Sequence, residues 1–143
     1  MDELIKNQIL DFLKEHPLCV VSTIHADGSG PESAVVAFSE TENLEIIFGT
    51  SNLARKYKNL QADNKVSFVI GWSDSEGTIQ YEGKATELSK EEAQPYIDKQ
   101  VEKIPSSKGF VDREDQRWFI VKPSWLRFFD HTIKPHEVHE LNF

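Results

Sequence analysis

The chain has 143 residues, 38% of them hydrophobic, and a formal net charge of −8. That length and composition suit one folded domain spanning residues 1–143 and exclude a disordered chain. The acidic balance argues against nucleic acid or an anionic membrane surface as partner, because phosphate arrays attract net positive faces.

Residues 2–16 read as a helix, with Leu4, Ile5, Ile9, Phe12 and Leu13 at helical spacing and Lys6, Asp11, Lys14 and Glu15 on the other side. Pro17 ends it, since the residue before a proline is pushed out of the helical region. Strands follow at 18–25 and 32–39, joined by the turn Asp27-Gly28-Ser29-Gly30. The second of these carries Ala34-Val35-Val36-Ala37-Phe38 without a charge, which predicts cover on both faces. A third strand is expected at 44–48, a helix at 51–62, a fourth strand at 66–72 and a fifth at 78–88. Ser89 and Glu92 match a capping box for a third helix, which Pro95 either kinks or begins. Strands at 117–121 and 125–129 are divided by Pro123, and the tail from Lys134 is polar and shows no clear element.

Cys19, the one cysteine, lies in the apolar run Leu18-Cys19-Val20-Val21 and reads as a small buried hydrophobe. It cannot form an internal disulfide, which suits a reducing interior. No uncharged apolar run approaches the roughly 18 residues of a membrane span, and the first residues lack the basic-then-apolar order of a signal peptide. The expectation is a soluble, cytoplasmic protein. Six or seven strands with mostly hairpin-length connections do not make a doubly wound sheet, which needs a helix at nearly every crossover. The fold expected is mainly β with α: a six- to seven-stranded antiparallel split β-barrel with peripheral helices.

The segment Gly49-Thr50-Ser51-Asn52-Leu53-Ala54-Arg55-Lys56-Tyr57-Lys58 is the most informative. With Ser51 or Asn52 as N-cap, Arg55 and Lys56 fall in the first helical turn. Bases are misplaced there, each disfavoured by roughly 0.3–1 kcal/mol. Residues 51–60 nevertheless hold one Arg, two Lys and no acid, within an acidic chain. A bound anion resolves the conflict: free amides, the Thr50 and Ser51 hydroxyls and two cations make a phosphate cradle. The alternative is a solvated helix face that happens to be basic. An apolar neighbouring strand, 33–38, offers room for a flat ring, so a phosphorylated aromatic cofactor is the ligand class expected. There is no G-x-G-x-x-G, no G-x-x-x-x-G-K-[ST] and no G-x-S-x-G. His136-Glu137-Val138-His139 has the wrong spacing for H-E-x-x-H, and with His131 nearby it reads as a solvated tail, so no metal is expected.

Four segments in order carry a resemblance: residues 34–38, Phe48-Gly-Thr-Ser-Asn-Leu-Ala-Arg-Lys-Tyr-Lys-Asn-Leu60, Asn64-Lys-Val-Ser-Phe-Val-Ile-Gly-Trp72 and Thr78-Ile-Gln-Tyr-Glu-Gly-Lys-Ala85. Over residues 16–131 the chain resembles the pyridoxamine 5′-phosphate oxidase-like FMN-binding split barrels, in the short bacterial branch called general stress proteins. The resemblance implies a homodimer with the flavin at its interface and a cofactor, FMN, whose phosphate is held by Arg55 and Lys56. Gly49, Thr50 and Ser51 would stand beside that phosphate. Ser33, Ala34, Val35, Val36 and Ala37 would line the isoalloxazine and ribityl chain, and Thr78 or Gln80 would contact the ring. Trp118 and Trp125 would either reach the flavin across the dimer or fill barrel and interface core. Pyridoxamine phosphate oxidases carry an Arg and a Lys bracketing the strand where Ser33 and Phe38 stand here, and they end in an Arg-containing substrate segment. Pyridoxal phosphate synthesis is therefore not the expected reaction. The expectation is an FMN-dependent oxidoreductase of unnamed substrate; the alternatives are a stress-related flavin carrier without turnover and the same barrel binding deazaflavin or haem.

Overall fold

A computed structural model describes all 143 residues. Seven antiparallel strands form one sheet: β1 (Leu18–Ile24), β2 (Pro31–Glu40), β3 (Ile46–Ser51), β4 (Lys65–Ser73), β5 (Gly77–Glu87), β6 (Gln116–Asp130) and β7 (Glu137–Asn142). Their order is β3-β2-β1-β4-β5-β6-β7, and β3 also pairs with β6, which closes the first six into a barrel. Closure satisfies the edge amides that an open sheet would expose. The expected mainly-β barrel with peripheral helices is the fold observed.

Alternation fixes what faces inward. Cys19, Val21 and Thr23 on β1 stand opposite Val36, Ala34 and Glu32 on β2, so all six share the inner side. Phe38, Phe48, Phe68, Tyr81 and Phe119 fill the centre, each 2% exposed or less. Rings of Phe48 and Phe119 stack at 5.5 Å, and Phe68 meets Tyr81 edge-on at the same separation. The Tyr81 hydroxyl lies 2.8 Å from the Leu44 carbonyl oxygen and 3.1 Å from that of Val121, which gives a buried phenol its partners.

Three helices sit around the barrel. α1 (Glu3–Lys14) is capped by Asp2, whose carboxylate accepts from the Leu4 amide at 2.8 Å. It buries Ile9, Leu10, Phe12 and Leu13 over the end that carries the β4–β5 turn, where His16 reaches Glu76. α2 (Arg55–Ala62) lies at the opposite end, beside the β1–β2 turn, and inserts Leu60. α3 (Lys90–Lys103) has the Ser89/Glu92 capping box and runs through Pro95. It covers the outer side of β3 and β6 through Ala93 and Ile97 against Ile47 and Trp118. In its last turn, Lys103 Nζ donates to the Leu13 carbonyl at 3.0 Å and to Glu40 Oε1 at 2.6 Å, with the Phe38 ring 3.9 Å away.

Several expectations are corrected. The third strand begins at Ile46, not Leu44, because Thr41–Glu45 form a tight turn in which Leu44 takes a φ of 62°. Residues 116–130 form one strand rather than two: Pro123 falls at a register shift against Glu82 and Gly83. A methyl at Gly83 would come 2.3 Å from the Lys122 carbonyl oxygen, so the bulge requires glycine. The polar tail contains β7, which pairs with the second half of β6. Although Ser39 further along the same side is buried, the outer side of β2 is not covered by the chain around Val35, which is 60% exposed. With Val20 and Val69, its register neighbours on β1 and β4, it makes an apolar row across three strands. No helix is long and apolar enough to cross a membrane.

Burial pushes the Cys19 thiol up to about 12, since a thiolate would lose its hydration there. Ellman's reagent at pH 8 is therefore expected to leave native protein unlabelled and to label it in step with urea unfolding. Replacing Tyr81 by Phe removes the one proton that two buried carbonyls share and should cost about 1–3 kcal/mol in the same urea titration.

Candidate functional site

The start of α2 is built differently from the sequence expectation. Ser51 remains in β3, paired with Gln116 of β6, and its hydroxyl donates to Asp115 Oδ2 at 2.6 Å while accepting from the Leu53 amide at 3.0 Å. That hydrogen bond holds the Asp115 carboxyl below the usual range. The N-cap position falls to Ala54, which has no side chain to cap with, so α2 opens directly on Arg55 and Lys56. The first amides of a helix have no intrahelical partners, and here no side-chain oxygen takes them. Both cations therefore stand at the positive end of the helix dipole.

A pocket of about 160 Å³ opens between this helix start and the barrel mouth, lined by Val21, Thr23, Glu32, Ser33, Ala34, Arg55 and Lys56. Part of the charge conflict is answered inside the protein. The Arg55 guanidinium pairs with Oε2 of Glu32, whose side chain is 12% exposed. Asn59, one turn along α2 and 3% exposed, organises the mouth. Its Nδ2 donates to Thr23 Oγ1 at 3.0 Å and to Glu32 Oε1 at 2.6 Å, and its Oδ1 accepts from the Ala26 amide at 3.0 Å. His25 Nδ1 lies 3.8 Å from Glu32 Oε2. Lys56 makes no ion pair; burial pulls its ammonium below the ordinary lysine range, and the nearby Glu32 charge opposes that shift. Two cations facing one carboxylate leave the pocket net positive.

Sequence reasoning missed Glu32 and Asn59. Strand alternation from Val36 back through Ala34 does place Glu32 on the inner side, and Asn59 follows the helical stripe position of Tyr57 by two residues. What neither pattern shows is that α2 crosses this mouth.

The remaining expected site residues divide among other places. Thr50 is buried, with its hydroxyl donating weakly to the Ser51 carbonyl at 3.5 Å. Gly49 faces outward against Trp118: a methyl there would lie 3.3 Å from the indole and closer still to the Gln116 amide. The Ser33 hydroxyl shares a 2.8 Å hydrogen bond with Ser22. Val35 and Ala37 face outward, while Ala34 and Val36 face the core. Thr78 and Gln80 line a separate recess of about 350 Å³ with Arg127, Phe129 and His131. Trp118 is packed beneath α3, and Trp125 is half-buried with its Nε1 donating to Glu140 Oε1 at 2.8 Å. In the histidine-bearing tail, the His136 ring stacks on His131 at 5.0 Å and His139 Nε2 lies 3.1 Å from Glu137. Of the expected residues, the structure brings Ser33, Ala34, Arg55 and Lys56 to one pocket.

A six-stranded antiparallel barrel closed through its third and sixth strands, with a basic helix start at its mouth, is a split-barrel protein. The chain belongs to the pyridoxamine 5′-phosphate oxidase family, whose sequence pattern matches residues 5–130. It is 31% identical over 85 residues to a pyridoxine/pyridoxamine 5′-phosphate oxidase of Prochlorococcus marinus, a match covering 59% of this chain and 37% of that protein. The chain thus spans little more than a third of the curated relative. Among solved structures it is similar to general stress protein 26 from Bacillus anthracis, with a TM-score of 0.74, 19% identity and coverage of 97% and 98% of the two chains. It is also similar to HutZ, a haem storage protein from Vibrio cholerae, with a TM-score of 0.69, 20% identity and coverage of 82% and 88%.

Truncating Asn59 to Ala leaves the Ala26 amide and one Glu32 oxygen without their partner. The expected loss is about 2 kcal/mol of stability by chemical denaturation, with the β-sheet circular dichroism signal unchanged.

Proposed function

We propose that this protein is an FMN-binding homodimer that serves as an oxidoreductase. The observation that carries the reading is the pair Arg55 and Lys56 at an uncapped helix start, beside the uncovered apolar side of β2. The donor set fits a phosphate: a guanidinium, an ammonium without an ion pair and free helix amides. The pocket, about 160 Å³, is smaller than the roughly 300–1,000 Å³ of whole-ligand sites. It suits the phosphate alone and leaves the ring to the outer face of the strand. Ser33, on that face, borders the pocket, and Val35 and Ala37 continue the outer side.

An apolar row of Val20, Val35 and Val69 on a bare sheet face is the kind of surface a second copy covers. Such cover would exclude water from a ring lying along β2, and Thr78 and Gln80 would supply polar contacts. FMN, when bound, supplies hydride and single-electron transfer. The chain's own residues bind and orient it, and no pocket side chain other than Glu32 and Lys56 is placed to move a proton. A second reading keeps the barrel and exchanges the ligand for haem, supported by the structural likeness to a haem storage protein.

The spectrum of protein purified from its expressing cells separates the readings: flavin absorption supports the first and a haem band the second. Arg55→Ala combined with Lys56→Ala should weaken FMN by about tenfold or more, at about 1.5–3 kcal/mol for a charged contact. Riboflavin, which lacks the phosphate, should bind both proteins alike; equal FMN affinity in the two would sink the site. Val35→Glu should convert the dimer to monomer in sedimentation velocity, and a wild type that sediments as monomer would remove the dimer. Reduction of bound flavin by NADH or NADPH and reoxidation by an acceptor would establish turnover.

A further inference from the structure

The pocket at the α2 start contains an acid directly opposite the cations that its ligand needs. Glu32 Oε1 is fixed by Asn59, but Oε2 accepts no aligned hydrogen bond and is held by charge alone. A largely buried carboxylate oxygen without a donor is costly, so the guanidinium of Arg55 is what makes Glu32 tolerable there. Arg55 itself is 78% exposed and reaches back from solvent to make this contact. Lys56 alone keeps its charge free for an incoming group.

We propose that Glu32 is an internal counter-anion: it holds the Arg55 guanidinium when no ligand is present, and a bound phosphate must share or take that guanidinium. This rests on the reading of Arg55 and Lys56 as a phosphate site and adds the residue that sets its affinity and selectivity. The geometry supplies both halves of the exchange. The guanidinium has five donors in a fork, so it can turn from a carboxylate to a phosphate with little strain. His25, 3.8 Å from the same oxygen, is the other base within reach of Glu32 once Arg55 turns away. In a pocket of about 160 Å³ the carboxylate and a phosphate cannot be far apart, and their repulsion acts against every phosphorylated ligand. A neutral flavin does not meet that opposition. Glu32 thus narrows the preference for phosphorylated over unphosphorylated ligand, and Lys56 carries most of the phosphate affinity in the wild-type protein.

The test compares wild type with Glu32→Gln, which keeps the acceptor for Asn59, and with Glu32→Asp, which draws the charge back by one methylene. Each is titrated with FMN, riboflavin and inorganic phosphate, by flavin fluorescence quenching and calorimetry. The expected result is FMN and phosphate binding tightened about tenfold or more in Glu32→Gln, and less in Glu32→Asp, with riboflavin unchanged. Arg55→Ala should cost little in the wild-type background and much more beside Glu32→Gln, a coupling that a purely structural glutamate would not produce. Unchanged or weaker FMN and phosphate binding in the glutamate variants overturns the proposal. If FMN is still lost from the Arg55→Ala, Lys56→Ala protein in that case, the phosphate site itself survives. Tighter inorganic phosphate in Glu32→Gln without flavin binding keeps the counter-anion and removes the flavin. Should Glu32→Gln not fold, Glu32→Asp carries the same comparison.

Discussion

The ladder between β3 and β6 is the constraint on which the other features depend. Six register pairs, from Ile46 with Val121 to Ser51 with Gln116, turn an open sheet into a barrel. Closure places the aromatic side chains of β2, β3, β4, β5 and β6 in one interior and removes two sheet edges from solvent. It also decides where α2 begins. Because Ser51 is committed to β6, the chain must turn at 52–54 and start its helix on Arg55, with nothing left to cap it. The site is a consequence of the closure.

That consequence is electrostatic. An uncapped helix start with two cations is unfavourable by itself, and the protein offsets it only in part, with one carboxylate from the inner side of β2. Asn59 links the helix to both strands of the mouth, so the acid and the bases are held by the same elements. A fully neutralised mouth would be a structural ion pair. A mouth left net positive, with one lysine unpaired, retains capacity for an anion.

Much of this was legible in the sequence, because much of it is local or periodic. The strands 18–25 and 32–39, the capping box at Ser89 and the amphipathic first helix follow from spacing alone, and the closed barrel follows from hairpin-length connections. What escaped is what tertiary pairing overrides. Ser51 is a good local N-cap, yet β6 and Asp115 claim it. β7 carries polar residues on both faces and so shows no period; it forms because the second half of β6 has an edge that β3 does not reach. Glu32 and Asn59 are 27 residues apart, and only the crossing of α2 over the β1–β2 end joins them. Val35 read as covered because an uncharged strand suggests burial, yet its outer side lacks any partner within the chain.

Lys103 ties together two helices that otherwise touch the barrel at different places. Its ammonium rests between a carbonyl of α1 and a carboxylate of β2, over the Phe38 ring. Neither helix can swing away without stripping partners from a cation that burial already disfavours. The helix that plugs one end and the helix that sheathes the flank are therefore linked through one ammonium, so that displacing either removes a partner the cation needs in its buried position.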